Sequence, residues 1–197
     1  MSIKAMIGNL MFEIVCYLGG TAGDLVVGTV DSRGCTIQNG TVACDTERQR
    51  LKKSWQFCND AGKLQYINRI KQQYRSIPSH DINFHINNAH DFIAVCVKRQ
   101  STAQWASNRF KELHTAQVWQ EMSSVNQADT VEKYAQDILD WSSWIQTSTN
   151  RVIFLEDILD GCMIQKLSSI INIDEIDTDF YNKWLKTHHE TSHDTCT

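Results

Sequence analysis

The sequence lacks the features that mark several classes of protein. It has a single proline, seven cysteines without a CxxC pair, and no apolar run of the roughly 20 residues that a membrane-spanning helix needs. An odd number of scattered cysteines argues against a disulfide framework or a zinc ribbon and suits a reducing compartment. We therefore expect a cytoplasmic protein that does not enter the membrane.

Charge of one sign is not in excess either. The formal net charge is -4, which gives no general attraction to nucleic acid or to anionic lipid. We expect neither as a partner, so any phosphate-bearing ligand has to be held by local groups. Glu13 interrupts the apolar N-terminal stretch, which we interpret as leading into a buried strand rather than as a signal peptide.

What is present fits one globular domain. The chain has 197 residues, of which 42% are hydrophobic and 21% charged, as is typical of a single packed core. We expect residues 1–197 to form this domain, with a polar tail that frays from about 188.

Three short apolar runs rich in β-forming residues predict buried strands at 12–18, 92–97 and 151–157. Stretches with apolar residues at helical spacing predict helices at 46–57, 63–74, 101–113, 129–147, 162–171 and 177–188. The run LVVGTV after Asp24 fits either a helix or a strand, and Pro78 breaks the pattern before SHD. Strands that alternate with helices predict a three-layer α/β fold around a short parallel sheet.

Residues 35–44 (CTIQ-NG-TVAC) predict a projecting β-hairpin, because Asn39-Gly40 supplies the positive φ angles of a type I′ turn. Counting outward from the turn places Cys35 opposite Cys44 in a non-hydrogen-bonded pair, close enough for a disulfide under oxidation. The alternative is that the two thiols only pack together, as is usual in a reducing compartment.

The first strand ends at Gly19-Gly20, and TAGD follows it. Backbone amides of residues 19–24 at the start of a helix can attract an anion. The alternative is a simple strand-ending turn.

A second candidate element follows the central strand. VCVKRQSTAQWASNRF places Lys98 and Arg99 at a strand end and Ser107 eight residues further on, within the next helix. A guanidinium and a hydroxyl so arranged can grip a phosphate by charge-assisted hydrogen bonds. The alternative is that these residues only solvate the strand end and the helix surface.

This element resembles sulfotransferases that use 3′-phosphoadenosine 5′-phosphosulfate, in which an arginine at a strand end and a serine eight residues later hold the 3′-phosphate. The order FEIVCYLGGTAGD, SHD, Arg99 with Ser107, VIFLEDIL and YNKWL is similar to that family over residues 12–185. The resemblance implies a P-loop-like fold. It also implies a donor site made of Arg99 and Ser107 for the 3′ side and of Gly20, Thr21, Ala22, Gly23 and Asp24 for the 5′ side.

The first loop departs from the family's pattern. Aligned on Gly23, the sequence has Thr21 where the family carries a cation and Asp24 where a threonine is expected. A carboxylate beside a phosphosulfate weakens binding unless it points away. The loop is therefore degenerate, and Lys98 or Lys4 are the candidates to replace its cation.

His80 in SHD is the candidate catalytic base, because imidazole titrates in the useful range, and Asp81 is the alternative. His80, His85 and His90 recur every five residues, a spacing that puts them on different faces of a helix or strand. We therefore predict no metal site.

The sequence thus supports two functions. One is transfer of a sulfuryl group from 3′-phosphoadenosine 5′-phosphosulfate to a hydroxyl or amine of a small-molecule or glycan acceptor. The other is non-catalytic binding or assembly on a degenerate P-loop-like fold. A nucleotide kinase is disfavoured because GxxxxGK[ST] is absent.

Overall fold

The structure is a computed structural model of the chain and describes residues 11–114, 131–171 and 176–193. Six strands are described: β1 (Glu13–Tyr17), β2 (Cys35–Gln38), β3 (Thr41–Cys44), β4 (Ser76–Ser79), β5 (Ile93–Cys96) and β6 (Val152–Phe154). The helices are α1 (Gly23–Val30), α2 (Asp60–Ile70), α3 (Ile82–Asn87), α4 (Gln100–Leu113), α5 (Val131–Ile145), α6 (Leu155–Leu159), α7 (Met163–Ser168) and α8 (Thr178–His193). A 3₁₀ segment spans Arg48–Gln56.

Four strands form a parallel sheet in the order β4-β1-β5-β6. Side chains alternate across the central strand β1. Val15 and Tyr17 face a core shared with α1, α4, α5 and the hairpin, whereas Ile14 and Cys16 face a second core with α2 and α3. Helices therefore cover both faces of the sheet, and the predicted α/β class with a short parallel sheet is confirmed.

Strand β4 is not among the predicted strands, because a proline such as Pro78 predicts a break in regular structure. In the structure Pro78 pairs with Val15, and β4 is an edge strand that has β1 as its neighbour in the sheet. Proline has no N–H group, which an edge strand tolerates because one side of it needs no ladder hydrogen bond. Pro78 is therefore consistent with the edge position of β4 in the sheet and does not interrupt the strand.

Several helix boundaries also differ from expectation. The stretch predicted as a helix at 46–57 is a 3₁₀ segment broken at Lys53, whose φ of -114° and ψ of 60° are not helical. LVVGTV is helical, the end of the third predicted strand forms α6, and α3 was not predicted. The tail expected to fray from about 188 is helical through His193, and residues 194–197 lie outside the described part.

The hairpin has the predicted register, with Gln38 opposite Thr41 and Cys35 opposite Cys44. Asn39 and Gly40 have φ angles of 49° and 69°, as a type I′ turn requires. The expectation that the hairpin projects is wrong, because its tip is held by α4 and α8. Arg109 donates to Thr41 Oγ1 at 2.6 Å, and Trp184 Nε1 donates to the Gly40 carbonyl at 2.9 Å.

Over the described residues, no helix combines the length and the apolar character needed to cross a bilayer.

Candidate functional site

A pocket of about 180 Å³ lies beside the carboxyl ends of β1 and β4. The chain leaves β1 for its neighbour β4 and then crosses to β5 on the other side of β1, so this edge is the point where the strand order reverses. Open α/β sheets bind ligands at such switch points. The walls come from the loop 19–24, the hairpin tip, the 3₁₀ segment, α4 and α8.

The loop after β1 turns sharply into α1. Gly20 and Ala22 have φ angles of 87° and 59°, and Thr21 donates its hydroxyl to the Leu18 carbonyl at 2.7 Å. The amides of Ala22, Gly23 and Asp24 have no acceptor among the described residues, and all three residues line the pocket. The positive end of the α1 dipole and these N–H groups therefore favour an anion here.

The glycines of this loop are required by packing. A Cβ on Gly20 would lie 2.1 Å from the Ala106 carbonyl oxygen in α4, and one on Gly23 would lie 2.0 Å from the Tyr17 ring. Thr21, the position where the resemblance expects a cation, is 1% exposed, so its side chain does not reach the pocket. The predicted loop residues lie together, but Thr21 contributes no side chain to the site.

Lys52 supplies positive charge beside the loop, and sequence reasoning missed it. Its Nζ lies 2.8 Å from Asp24 Oδ2, and the Tyr17 hydroxyl donates to Asp24 Oδ1 at 2.6 Å. Lys52 comes from the 3₁₀ segment, 28 residues after Asp24, within a stretch rich in arginine, lysine and glutamine. No local signal distinguishes it from its neighbours, because the contact depends on the path of the chain.

Of the two lysines predicted from sequence for this role, Lys98 does not fill it. Lys98 places its Nζ over the Phe154 ring, 3.6 Å from the centroid, and does not line the pocket. Lys4 lies outside the described residues. The Asp24 carboxylate would by itself disfavour an anion, but it pairs with Lys52 and accepts from the Tyr17 hydroxyl.

His80 follows β4 and lines the pocket. Its Nδ1 lies 2.6 Å from the Tyr17 carbonyl oxygen, which can only accept, so Nδ1 carries the hydrogen and Nε2 keeps a lone pair. Burial, and then the charge of Lys52, lower the pKa of His80 to about 4. The ring is therefore neutral at pH 7 and can accept a proton at Nε2.

Asp81, the alternative base, has a structural role. Its Oδ1 accepts from the Phe84 amide at 3.3 Å and caps α3, and its Oδ2 pairs with Lys63 Nζ at 2.7 Å. It does not line the pocket.

The other predicted pair is not brought together. Arg99 occupies the N-cap position of α4 and has an exposed side chain 4.0 Å from Asp160, whereas Ser107 is fully buried and donates to the Val131 carbonyl at 2.8 Å. Eight residues of helix advance by about 12 Å, so the spacing does not by itself make the two side chains neighbours. Neither residue lines the pocket.

Glu156, which follows β6, holds the end of β5 from which Arg99 extends. Glu156 Oε1 accepts from the amides of Lys98 and Arg99 at 3.0 and 2.8 Å, and its side chain is buried. Its role in the described structure is to position the β5–α4 connection.

Aromatic side chains and a second cation complete the pocket. Arg109 from α4 lies near the hairpin, and the apolar walls come from α4 and α8. The rings that line the pocket are Tyr17, Trp105, Phe110, Trp184 and the imidazoles of His80, His114 and His188. Such a surface can stack against a planar ligand ring.

His85 and His90 lie away from this pocket, with their Nδ1 atoms 3.1 Å apart. Nowhere in the described part of the chain do three His, Cys, Asp or Glu side chains meet in an arrangement that could hold a metal ion.

Comparisons with protein-family models, with curated proteins and with solved structures gave no match.

Proposed function

We propose that the pocket binds the nucleotide donor 3′-phosphoadenosine 5′-phosphosulfate and that the chain transfers its sulfuryl group to a hydroxyl or amine of a small-molecule or glycan acceptor. The observation that carries the proposal is the loop 19–24, which presents at the start of α1 amides without an acceptor in the part of the chain that the structure describes, with Lys52 beside them. The β1–loop–α1 unit and the sequence resemblance support the further assignment of a P-loop-like fold.

The 5′ end of the donor would lie against the loop. The amides of Ala22, Gly23 and Asp24 would donate to its oxygens, and Lys52 would supply the cation that Thr21 does not. Because Asp24 shares Lys52, an anion would compete with the carboxylate for the same ammonium group. We therefore expect moderate affinity.

The second phosphate of the donor would lie near Arg109. This guanidinium is on a different wall from Lys52, and it is oriented by its hydrogen bond to Thr41. Two cations on separate walls suit a ligand with two separated phosphate groups, and Trp105 would flank its base.

His80 would act as the base. As an acceptor oxygen forms its bond to sulfur, its proton would pass to Nε2, and the bond from sulfur to the bridging oxygen would break to release adenosine 3′,5′-bisphosphate. Negative charge of a bound donor would raise the low pKa of the ring and make it a better proton acceptor. In this scheme catalysis rests on positioning and charge stabilisation.

A non-catalytic binding role is the second candidate. It is favoured by the positions of Arg99 and Ser107, which lie outside the pocket. The two residues that the resemblance assigns to the 3′-phosphate therefore do not contact a ligand in this pocket. The same anion site would then hold a phosphorylated ligand without transfer.

Calorimetry with adenosine 3′,5′-bisphosphate tests the anion site. We expect Lys52→Met to weaken binding by roughly tenfold to a hundredfold, through loss of a charge-assisted contact. Lys53→Met is the matched control, because Lys53 is the next residue along the 3₁₀ segment and its side chain is exposed. Equal affinities for the two variants, or no binding by the unmodified chain, would contradict the proposal. Binding without sulfuryl transfer from labelled donor would favour the second candidate.

A further inference from the structure

Cys35 and Cys44 lie directly opposite each other at the base of the hairpin. The adjacent bond from the Asp45 amide to the Gly34 carbonyl, at 2.7 Å, makes the cysteines a non-hydrogen-bonded pair. In such pairs the Cα atoms are about 4.5 Å apart, within the range that a disulfide spans. The backbone can therefore accept the bond without rearrangement.

The two sulfurs have different surroundings. A hydrogen bond with Cys35, followed by burial, raises the pKa of the Cys44 thiol, so Cys44 keeps its proton. Arg48 Nη1 also lies 3.2 Å from Cys35 Sγ and donates to it. Cys35 is half-buried, whereas Cys44 is 5% exposed, so a reagent from solvent reaches Cys35 first.

Hydrogen bonds hold the Arg48 guanidinium beside the Cys35 sulfur. The guanidinium is fully buried and also donates to the Asp31 carbonyl at 2.8 Å and to Ser76 Oγ at 2.7 Å. Positive charge beside a partly accessible sulfur is the setting in which cysteines exchange with disulfides.

We propose that Cys35 and Cys44 form a reversible disulfide site for low-molecular-weight disulfides such as oxidised glutathione, in which Cys35 attacks and Cys44 resolves. Cys35 sulfur, as its thiolate, bonds to one sulfur of the oxidant and releases the other as a thiol after it takes up a proton. Cys44 then loses its proton and bonds to Cys35 sulfur, which releases the second thiol. The two cysteines give up two electrons and two protons, and the oxidant takes them up.

The site is distinct from the other described cysteines. Cys16 and Cys96 are buried on the parallel sheet, and Cys58 and Cys162 are exposed. Oxidation would join the two strands below Gly40, Thr41 and Val42, which form a wall of the pocket. The disulfide site itself stands whether or not the pocket binds a nucleotide.

Peptide mapping of the full native chain tests the proposal. The tryptic peptide 34–48 contains both cysteines and no others, so an internal bond is read as loss of two hydrogens without any alkylation. After treatment with oxidised glutathione and blocking of free thiols, we expect this bonded peptide, and we expect dithiothreitol to reverse it. Cys58 and Cys162 are the exposed control thiols that should carry mixed disulfides.

Two single variants test the order of the steps. Cys44→Ser should accumulate glutathione on Cys35, and Cys35→Ser should carry roughly tenfold less glutathione on Cys44 because that sulfur is buried. If peptide 34–48 stays fully alkylated while the control thiols react, the site does not exist. If Cys44 reacts as fast as Cys35, the assigned roles are wrong.

Discussion

At the scale of single residues, His80 combines a fixed ring with an acceptor nitrogen, Nε2, for which the described residues provide no hydrogen bond. The Tyr17 carbonyl holds Nδ1, and the Tyr17 ring packs edge-on against the imidazole with centroids 4.8 Å apart. This contact joins residues 63 positions apart and sets the direction of Nε2. The side chain is therefore oriented before any ligand arrives.

His80→Asn separates the role of Nε2 from that of Nδ1. The asparagine amide can donate to the Tyr17 carbonyl as Nδ1 does, but it offers no basic nitrogen. If His80 is the base, sulfuryl transfer should slow by about 10² to 10⁴, while calorimetric affinity for adenosine 3′,5′-bisphosphate stays nearly constant. His90→Asn, outside the pocket, is the control. Normal turnover in His80→Asn would place the base elsewhere.

Arg109 and Arg99 provide a matched pair on the same helix. Arg109 lines the pocket, whereas Arg99 lies at the start of α4 with its side chain in solvent. We expect Arg109→Gln to weaken binding of adenosine 3′,5′-bisphosphate by about tenfold, because its 3′-phosphate loses the guanidinium. Binding of adenosine 5′-monophosphate, which has no 3′-phosphate, should weaken much less. Arg99→Gln should leave both affinities nearly unchanged. The reverse result would return the 3′-phosphate to the strand end, as the resemblance implies.

At the scale of elements, the loop 19–24 depends on a close approach of α4. Gly20 has a φ of 87°, and its α-carbon faces the Ala106 carbonyl with no room for a methyl group. The same helix carries Arg109 and Phe110, so the contact also sets two walls of the pocket. Loop and helix should therefore respond together to a change at this position.

Gly20→Ala tests this contact, with Gly161→Ala as the control. Gly161 has a similar φ of 80° but nothing within 4 Å of an added Cβ, so alanine there meets backbone strain alone. Such strain costs about 1 to 3 kcal/mol. We expect Gly20→Ala to lower the free energy of unfolding, measured in urea, by clearly more than Gly161→Ala does. Equal losses would show that α4 does not constrain the loop.

At the scale of the whole molecule, buried neutral histidines link stability to pH. His85 is fully buried, its Nε2 lies 2.8 Å from Ser79 Oγ, and its Nδ1 faces His90. Burial, and then the nearby His90, lower the pKa of His85 to about 4. Asp81 and Lys63 are the other charged groups that act on it.

The sign of the pH effect follows from this lowered pKa. Below about pH 6.5 the unfolded chain takes up a proton at His85 and the folded chain does not. The free energy of unfolding therefore decreases as the pH is lowered, until the folded pKa near 4 is reached. Between pH 7 and pH 5 the loss from His85 alone should be about 2 kcal/mol. Urea unfolding at the two pH values measures it, and His85→Gln should flatten the dependence. An equally steep dependence in the variant would assign the effect to other groups.

The sequence by itself determined the elements whose signals are local. Apolar runs marked β1, β5 and β6, helical spacing marked α4 and α5, and Asn39-Gly40 set the hairpin together with its Cys35–Cys44 register. These features follow from side-chain periodicity and turn geometry, which neighbouring residues specify without the rest of the fold.

Only the tertiary structure decided which side chains meet at the pocket. Lys52 reaches Asp24 from a 3₁₀ segment, and His80 reaches Tyr17 through a strand that pairs in spite of its proline. Arg99 and Ser107 lie eight residues apart in one motif, yet they have different surroundings. Arg99 is the exposed N-cap residue of α4, whereas Ser107 is buried and donates to the Val131 carbonyl. Contacts between distant residues depend on how the strands pair and the helices pack, and a motif's spacing along the chain does not encode that arrangement.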